Sequence, residues 1–375
     1  MSVEIREIQI GGKIADFINV VDYIYRDDPA YIRPLDMDLK MRLSPKNPFF
    51  EHAEGTLFTA YRNGWCVGRC SAQICQEHLS LHKDDTGFFG FLDTVDDPEV
   101  SGALLDSARE WLRDRGMKRV RGPMSLSMND ELGCQIEGFE HSPMLMMPHH
   151  RPYQSQLIED AGFEKTKDLF AWRYGFDELP KRVKRAIDKI DDMPEVSVRP
   201  MDPKNIKQEV RLIMEIFNDA WSENWAFVPL TESELNQMAD DLKLILVPEF
   251  TAIATIDGKP AAVALALPNL NELIHDADGK LFPTGLVKLL WRLKVVGAKS
   301  ARMLILGVRK EYQKTRKYAA LSAYLYGTLS KSGKCYGLES GELGWTLEDN
   351  GAINAAIRMI GGEVYKKYRV YERDA

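Results

Sequence analysis

Two periods of apolar residues alternate along this chain, and they do so in the same order twice. In residues 14–25, Ile14, Phe17, Ile18, Val21 and Ile24 form one helical stripe that stops before Asp27, Asp28 and Pro29. Residues 56–61 and 65–74 flank Asn63-Gly64, two residues that tolerate positive φ, and the pattern predicts a hairpin there. A strand over 87–92 comes next. A helix over 100–112 follows, with Leu104, Leu105, Ala108, Trp111 and Leu112 on one side; Gly116 ends it, and a strand occupies 119–122. A short helix over 153–160, a stop at Gly162 and an extended stretch over 163–174 complete the first half.

The second half repeats that order. Leu212, Ile213, Ile216 and Phe217 predict a helix over 211–221, and Asp257-Gly258 predicts a hairpin between strands 251–256 and 259–267. An apolar strand over 303–308 leads into a helix over 318–329 that ends at Gly333. Strands over 342–347 and 364–371 enclose a helix over 352–360, with its stop at Gly361-Gly362. Pro and charge concentrate in 192–204, which predicts a linker. The expected fold is α/β (α+β): two similar fused domains, 1–190 and 191–375, each a mixed, mostly antiparallel twisted sheet flanked by helices.

Composition narrows the function classes. The 375 residues are 45% hydrophobic and 28% charged, an ordinary globular balance with ample core. No apolar run reaches the roughly 20 residues of a membrane span, and the first residues carry neither a secretory nor a transit pattern, so a cytoplasmic protein is expected. Five cysteines without metal-ligand spacing read as reduced thiols, and no metal is expected. A net charge of -7 argues against nucleic acid as a partner.

Basic charge is local instead. In residues 302–321, RMLILGVRKEYQKTRKYAAL, an apolar strand runs into Arg309, Lys310, Lys314, Arg316 and Lys317 against the single acid Glu311, and then into a helix. Strand, basic loop and helix start make a cradle for a phosphate group, because loop amides and the positive helix end face the anion. A solvated basic turn is the plainer alternative.

The order of elements, with Ala161-Gly162-Phe163 and Ile360-Gly361-Gly362 as closing stops, resembles two fused GNAT-type acyltransferase folds. In that superfamily the strand edge before the loop binds pantetheine and the loop holds the pyrophosphate of acyl-CoA. The family's loop pattern falls here on Gln313, Arg316 and Tyr318; Gln313 matches, and both small residues are replaced. The first half places Asp93, Asp96, Asp97 and Glu99 after its corresponding strand, so its domain is expected to bind no CoA. NPFFEHAEG from Asn47, GPMSLSMNDELG from Gly122, NDAWSENWAFVPLTESEL from Asn218, LPNLN from Leu267, FPTGLVKLL from Phe282 and LEDNGAIN from Leu347 resemble the bacterial ceramide synthase-like group within that superfamily.

The resemblance implies an acyl-CoA-dependent N-acyltransferase that joins a long-chain acyl group to the amine of a sphingoid base. Acyl-CoA contact is assigned to Leu306, Gly307, Val308, Arg309, Gln313, Lys314, Thr315, Arg316, Lys317, Tyr318 and Asn350, the last with a helix N-cap as its plainer role. Amine attack on a thioester needs a base and an oxyanion donor. Glu342 is the candidate base, with an ion pair as the alternative, and backbone N–H groups around Gly307 and Val308 are the candidate donors. His149, His150 and Tyr153 are further catalytic candidates. The superfamily's tyrosine acid is absent: its register falls on Ile158 and Ile357, leaving Tyr318, Tyr324, Tyr365 or water.

Trp221, Asn224, Trp225 and Trp345 are candidates for an aromatic wall along a lipid chain. Residues 284–302, apolar and basic with no acid, suggest peripheral contact with an anionic membrane, or else a helix that covers the core. Transfer to another small amine, and a non-catalytic lipid-binding protein on the same scaffold, remain as alternatives.

Overall fold

The hairpin turns form where the sequence puts them: Asn63 and Gly64 take φ of 55° and 79°, and Asp257 and Gly258 take 49° and 75°. Around them, a computed structural model of the chain describes residues 2–176, 178–281, 283 and 285–375. The chain folds as a mixed α/β structure in two compact units. Unit 1 comprises Met1–Phe170, Ile274–Leu289 and Lys366–Ala375; unit 2 comprises Ala171–Leu273 and Leu290–Tyr365. The units are therefore not consecutive halves of the chain.

Unit 1 begins with β1 (Glu4–Gln9), α1 (Ala15–Ile24), α2 (Asp36–Arg42), β2 (Ala53–Arg62) and β3 (Trp65–Cys75). It continues through α3 (Gln76–His82), β4 (Thr86–Thr94), α4 (Pro98–Arg113) and β5 (Arg119–Gly122). After β6 (Met124–Ser125), β7 (Glu131–Leu132), β8 (Cys134–Glu137) and α5 (Gln154–Asp160), β9 (Glu164–Gly175) carries the chain out of the unit. Strands β1 to β4 pair antiparallel in sequence order, and β4 pairs parallel with β5. Side chains alternate across this sheet: Phe58, Phe89 and Leu92 pack with Leu104, Leu105 and Leu112 of α4, whereas Leu57 and Phe91 pack with Phe17 and Ile18 of α1.

Unit 2 contains α6 (Lys181–Asp191), β10 (Val196–Arg199), α7 (Ile206–Trp221), α8 (Glu232–Ile245), β11 (Thr251–Ile256) and β12 (Lys259–Pro268). After α9 (Leu270–Ile274) the chain passes through α10 (Gly285–Trp291), whose residues to Leu289 belong to unit 1, and continues with β13 (Ser300–Val308), α11 (Lys310–Gln313), α12 (Leu321–Tyr336), β14 (Ser340–Leu347), α13 (Gly351–Met359) and β15 (Glu363–Asp374). Its strands β10 to β13 pair antiparallel in order, and β13 pairs parallel with β14. The stretch expected as a linker holds β10, an edge strand on β11. Most of β15 returns to unit 1, where Tyr371–Asp374 pairs antiparallel with β5. Phe282 and Thr284 lie outside the described residues.

Candidate acyl-transfer site on the open edge of strand β13

Strands β13 and β14 are paired only from Ser300↔Ser340 to Met303↔Leu343, yet β13 runs on to Val308 and β14 to Leu347. Past Met303 the two strands splay, and one edge of β13 is open. Which groups face the opening follows from the pairing on the other side. Arg309 N–H donates to Ala261 O at 2.9 Å, so the alternation of an antiparallel ladder makes Gly307 and Val263 a hydrogen-bonded pair. Leu306 and Val308 are the non-bonded positions, and their backbone groups point away from β12 into the opening. Both carbonyls are taken there: Trp221 Nε1 donates to Leu306 O at 3.2 Å and Gln313 Nε2 to Val308 O at 2.6 Å. Two N–H donors remain, on Leu306 and Val308. Of the two residues expected to offer oxyanion donors, Val308 turns its N–H to the opening and Gly307 turns its own groups to β12.

Gly307 has another use. A methyl group there would lie 3.3 Å from Ala220 Cβ, so its absence lets α7 settle close on β13. That approach delivers Trp221 to the strand. The Trp221 ring stacks on Phe217 at 5.1 Å and meets Trp345 of β14 edge-on at 6.5 Å, while Phe217 also meets Phe227. Of the expected aromatic wall, Trp221 and Trp345 come together. Asn224 and half-buried Trp225 sit in the turn after α7, where Asn224 N–H donates to Trp221 O. Phe217 and Phe227 complete the cluster; Phe217, one helical turn before Trp221, was readable as its i−4 neighbour.

The basic loop divides into paired and unpaired charge. Arg309 pairs with Glu215 at 2.7 Å, Lys310 with Glu223 at 2.6 Å and Lys317 with Glu195 at 2.6 Å. Asp219 accepts from Lys310 N–H and fixes the start of α11. Thr315 Oγ1 donates to Glu311 O, and Tyr318 packs edge-on against Tyr312. Among the described residues Lys314 and Arg316 enter no ion pair. The helix expected from Tyr318 starts at Leu321, after a single 3-10 turn over Arg316–Tyr318, and its N-cap is Ala320 with no side-chain cap. Small residues missing from the expected loop register therefore do occur, as Ala319 and Ala320, where α12 presents its first amides.

Glu342 lies where the strands part. Its carboxylate has no exposed surface; Oε1 stands 2.9 Å from Nε of buried Arg302, its parallel neighbour, and Oε2 accepts from the Tyr365 hydroxyl. The pair ties β14 to β13 just before the strands part. Gly344 permits the parting: a methyl group there would be 2.6 Å from Met303 O. Asn350 takes its plainer role, with Oδ1 accepting from Ile353 N–H as the N-cap of α13.

The remaining catalytic candidates belong to unit 1. Nε2 of buried His149 is 3.0 Å from Asp28 Oδ2, and no hydrogen-bond partner meets its Nδ1 among the described residues. Burial lowers the pKa of His149, and it lowers that of His150 to about 4. Gln135 N–H donates to His150 Nδ1 at 3.2 Å. The Tyr153 hydroxyl donates to Thr94 O at 2.8 Å, and burial pushes its pKa up to about 12. Tyr153 and its neighbours fill the edge of β4 past Phe88: Ser125 Oγ accepts from Phe91 N–H and Gln154 Oε1 from Thr94 N–H. Asp93, one of the acids expected to repel a pyrophosphate, binds Arg69 at 2.7 Å inside the unit, and Asp97 caps the N-terminus of α4.

No family model matches the chain. Protein YghO of Escherichia coli (strain K12) is 39% identical over 359 residues, covering 95% of this chain and 92% of that protein. Bacterial ceramide synthase of Caulobacter vibrioides is 39% identical over 372 residues, covering 98% of this chain and 96% of that one. Among solved structures, a tandem GNAT protein from the clavulanic acid biosynthesis pathway superposes with a TM-score of 0.59 at 12% identity, covering 100% of this chain and 98% of its own. A GCN5-related N-acetyltransferase from Sphaerobacter thermophilus gives 0.53 at 12% identity, covering 99% and 95%. With that identity along nearly the whole of both chains, and with a tandem GNAT fold, the protein belongs to the bacterial ceramide synthase-like group of GNAT acyltransferases.

Proposed function

We propose that the protein transfers a long-chain acyl group from acyl-CoA to the amine of a sphingoid base, and that unit 2 holds the acyl-CoA. The open edge of β13 carries this reading. It offers the N–H groups of Leu306 and Val308 while Trp221 and Gln313 occupy the carbonyls. An edge of donors suits a ligand that brings acceptors, such as the amide and thioester oxygens of an acyl-pantetheine arm. The pyrophosphate would lie at the uncapped start of α12, with Lys314 and Arg316 free to reach it. The aromatic cluster gives an apolar wall for the chain.

In the reaction the amine lone pair attacks the thioester carbon, the C–S bond breaks as the tetrahedral intermediate collapses, and a proton passes from nitrogen to the leaving thiolate. An N–H donor about 2.7–3.1 Å from the oxyanion stabilises that intermediate. The amine must arrive neutral, which apolar surroundings favour by lowering the pKa of the ammonium form. Glu342 positions the strands and Tyr365 from its place at their parting. Unit 1 is read as the partner without CoA, since its own side chains fill the β4 edge and Asp97 occupies the helix start where an anion would sit.

The test is turnover. Purified protein given a long-chain acyl-CoA and sphinganine should release free thiol and form an amide seen by mass spectrometry. No thiol release and no amide with any sphingoid base would refute the substrate assignment, and a short amine acylated in its place would redirect it. Lys314→Ala with Arg316→Ala should raise the KM for acyl-CoA about tenfold, the order of two weakened charge-assisted contacts, with little change in kcat.

A further inference from the structure

Residues 285–296 form α10 and then a turn of π-helix over Arg292–Val296, and no residue of either is buried. This is unusual for a stretch with eight apolar side chains. Leu286, Val287, Leu290 and Trp291 stand at i, i+1, i+4 and i+5 and all face solvent, followed by Val295 and Val296. Val287 is 70% exposed, Val295 66% and Trp291 56%. Apolar side chains occupy the outward face, which a helix that only covers a core gives to polar residues.

Charge around the patch has one sign within the segment. From Gly279 to Lys310 the sequence contains no Asp or Glu, and Lys288, Lys294 and Lys299 lie on or beside the patch. Lys288 meets Asp276 and Lys299 meets Glu339 in exposed pairs, which water screens and a phosphate group can displace. Lys294 enters no ion pair among the described residues. Arg292 donates to Leu273 O, and Arg302, expected to add to this surface, is buried with Glu342. No helix among the described residues is long and apolar enough to cross a membrane.

We infer that residues 285–297 dock on the surface of an anionic lipid bilayer, with Val287, Trp291, Val295 and Val296 at the acyl boundary and the lysines among lipid phosphates. A second copy of this chain fits the patch less well, since it would set lysines against lysines with no acid in either segment. A bilayer supplies both the apolar layer and the opposite charge. The inference holds whichever amine the enzyme acylates.

Flotation of the full-length protein with vesicles tests it. Vesicles of phosphatidylcholine with one quarter phosphatidylglycerol should carry most of the protein, and pure phosphatidylcholine vesicles little. Val287→Ser with Trp291→Ser and Val295→Ser should cut binding at least fivefold while thermal unfolding stays unchanged, and Lys294→Glu should weaken binding in low salt. Equal binding by the triple variant, or none by the parent protein, would overturn the proposal. So would a parent dimer that the triple variant converts to monomer with vesicle binding unaltered, which would assign the patch to a second copy.

Discussion

At Glu342 a carboxylate without exposed surface meets a guanidinium with almost none, and removing the carboxylate charge takes a close partner from a buried cation. Glu342→Gln keeps the shape and an acceptor for Tyr365 but removes the charge that pairs with Arg302. It should lower unfolding free energy by about 3 kcal/mol, read from urea midpoints. His150 gives a pH-dependent counterpart. Burial lowers its pKa from 6.5 to about 4, so the folded protein keeps it neutral where the unfolded chain takes up a proton. Its contribution is whole above about pH 6.5 and is lost as pH falls toward 4. Between pH 7 and pH 5 that loss should be about 2 kcal/mol, and His150→Gln, which keeps an acceptor for Gln135 N–H, should flatten the dependence. Buried His78, also lowered to about 4, adds in the same direction. Sequence alone singled out Glu342 and His150 as candidate catalytic residues. It did not show their partners, because Arg302 and Gln135 become neighbours only through strand pairing and chain crossing.

Among the elements, the splay between β13 and β14 rests on a glycine. Gly344→Ala would set a methyl group 2.6 Å from Met303 O and force the strands apart at their last pair. A loss of about 1–3 kcal/mol in stability is expected, with a raised KM for acyl-CoA as the edge of β13 shifts. Both hairpins were legible because Asn63-Gly64 and Asp257-Gly258 encode their turns in two adjacent residues. The splay was not, since it depends on where a parallel pairing of distant segments stops. Helix α6 escaped for a different reason: among its charged residues only Val183, Ile187 and Ile190 reach the core, too sparse a stripe to stand out. Helix α8 escaped as well, although Thr231 and Glu234 form a capping box at its start, a signal the apolar pattern alone passes over.

For the molecule as a whole, the repeated order of helix, hairpin and strands was correctly visible, but the assignment of chain to unit was not. Periodicity identifies a strand and says nothing of which sheet receives it, and so the last strand read as the end of the second domain. In the structure Lys366–Ala375 belongs to unit 1. Deleting these ten residues should therefore loosen unit 1 first: hydrogen exchange should accelerate in β4 and β5 before it does in β11 and β12. Equal protection in β5 with and without the deletion would contradict this.

The same strand bears on how the protein is made. A ribosome that has completed Phe170 must still add about 200 residues before Tyr371 to Asp374 can reach β5, some 10–40 s at ordinary elongation rates. Through that interval the nascent unit 1 exposes one unpaired side of β5, and a chaperone or a neighbouring nascent chain has that long to find it.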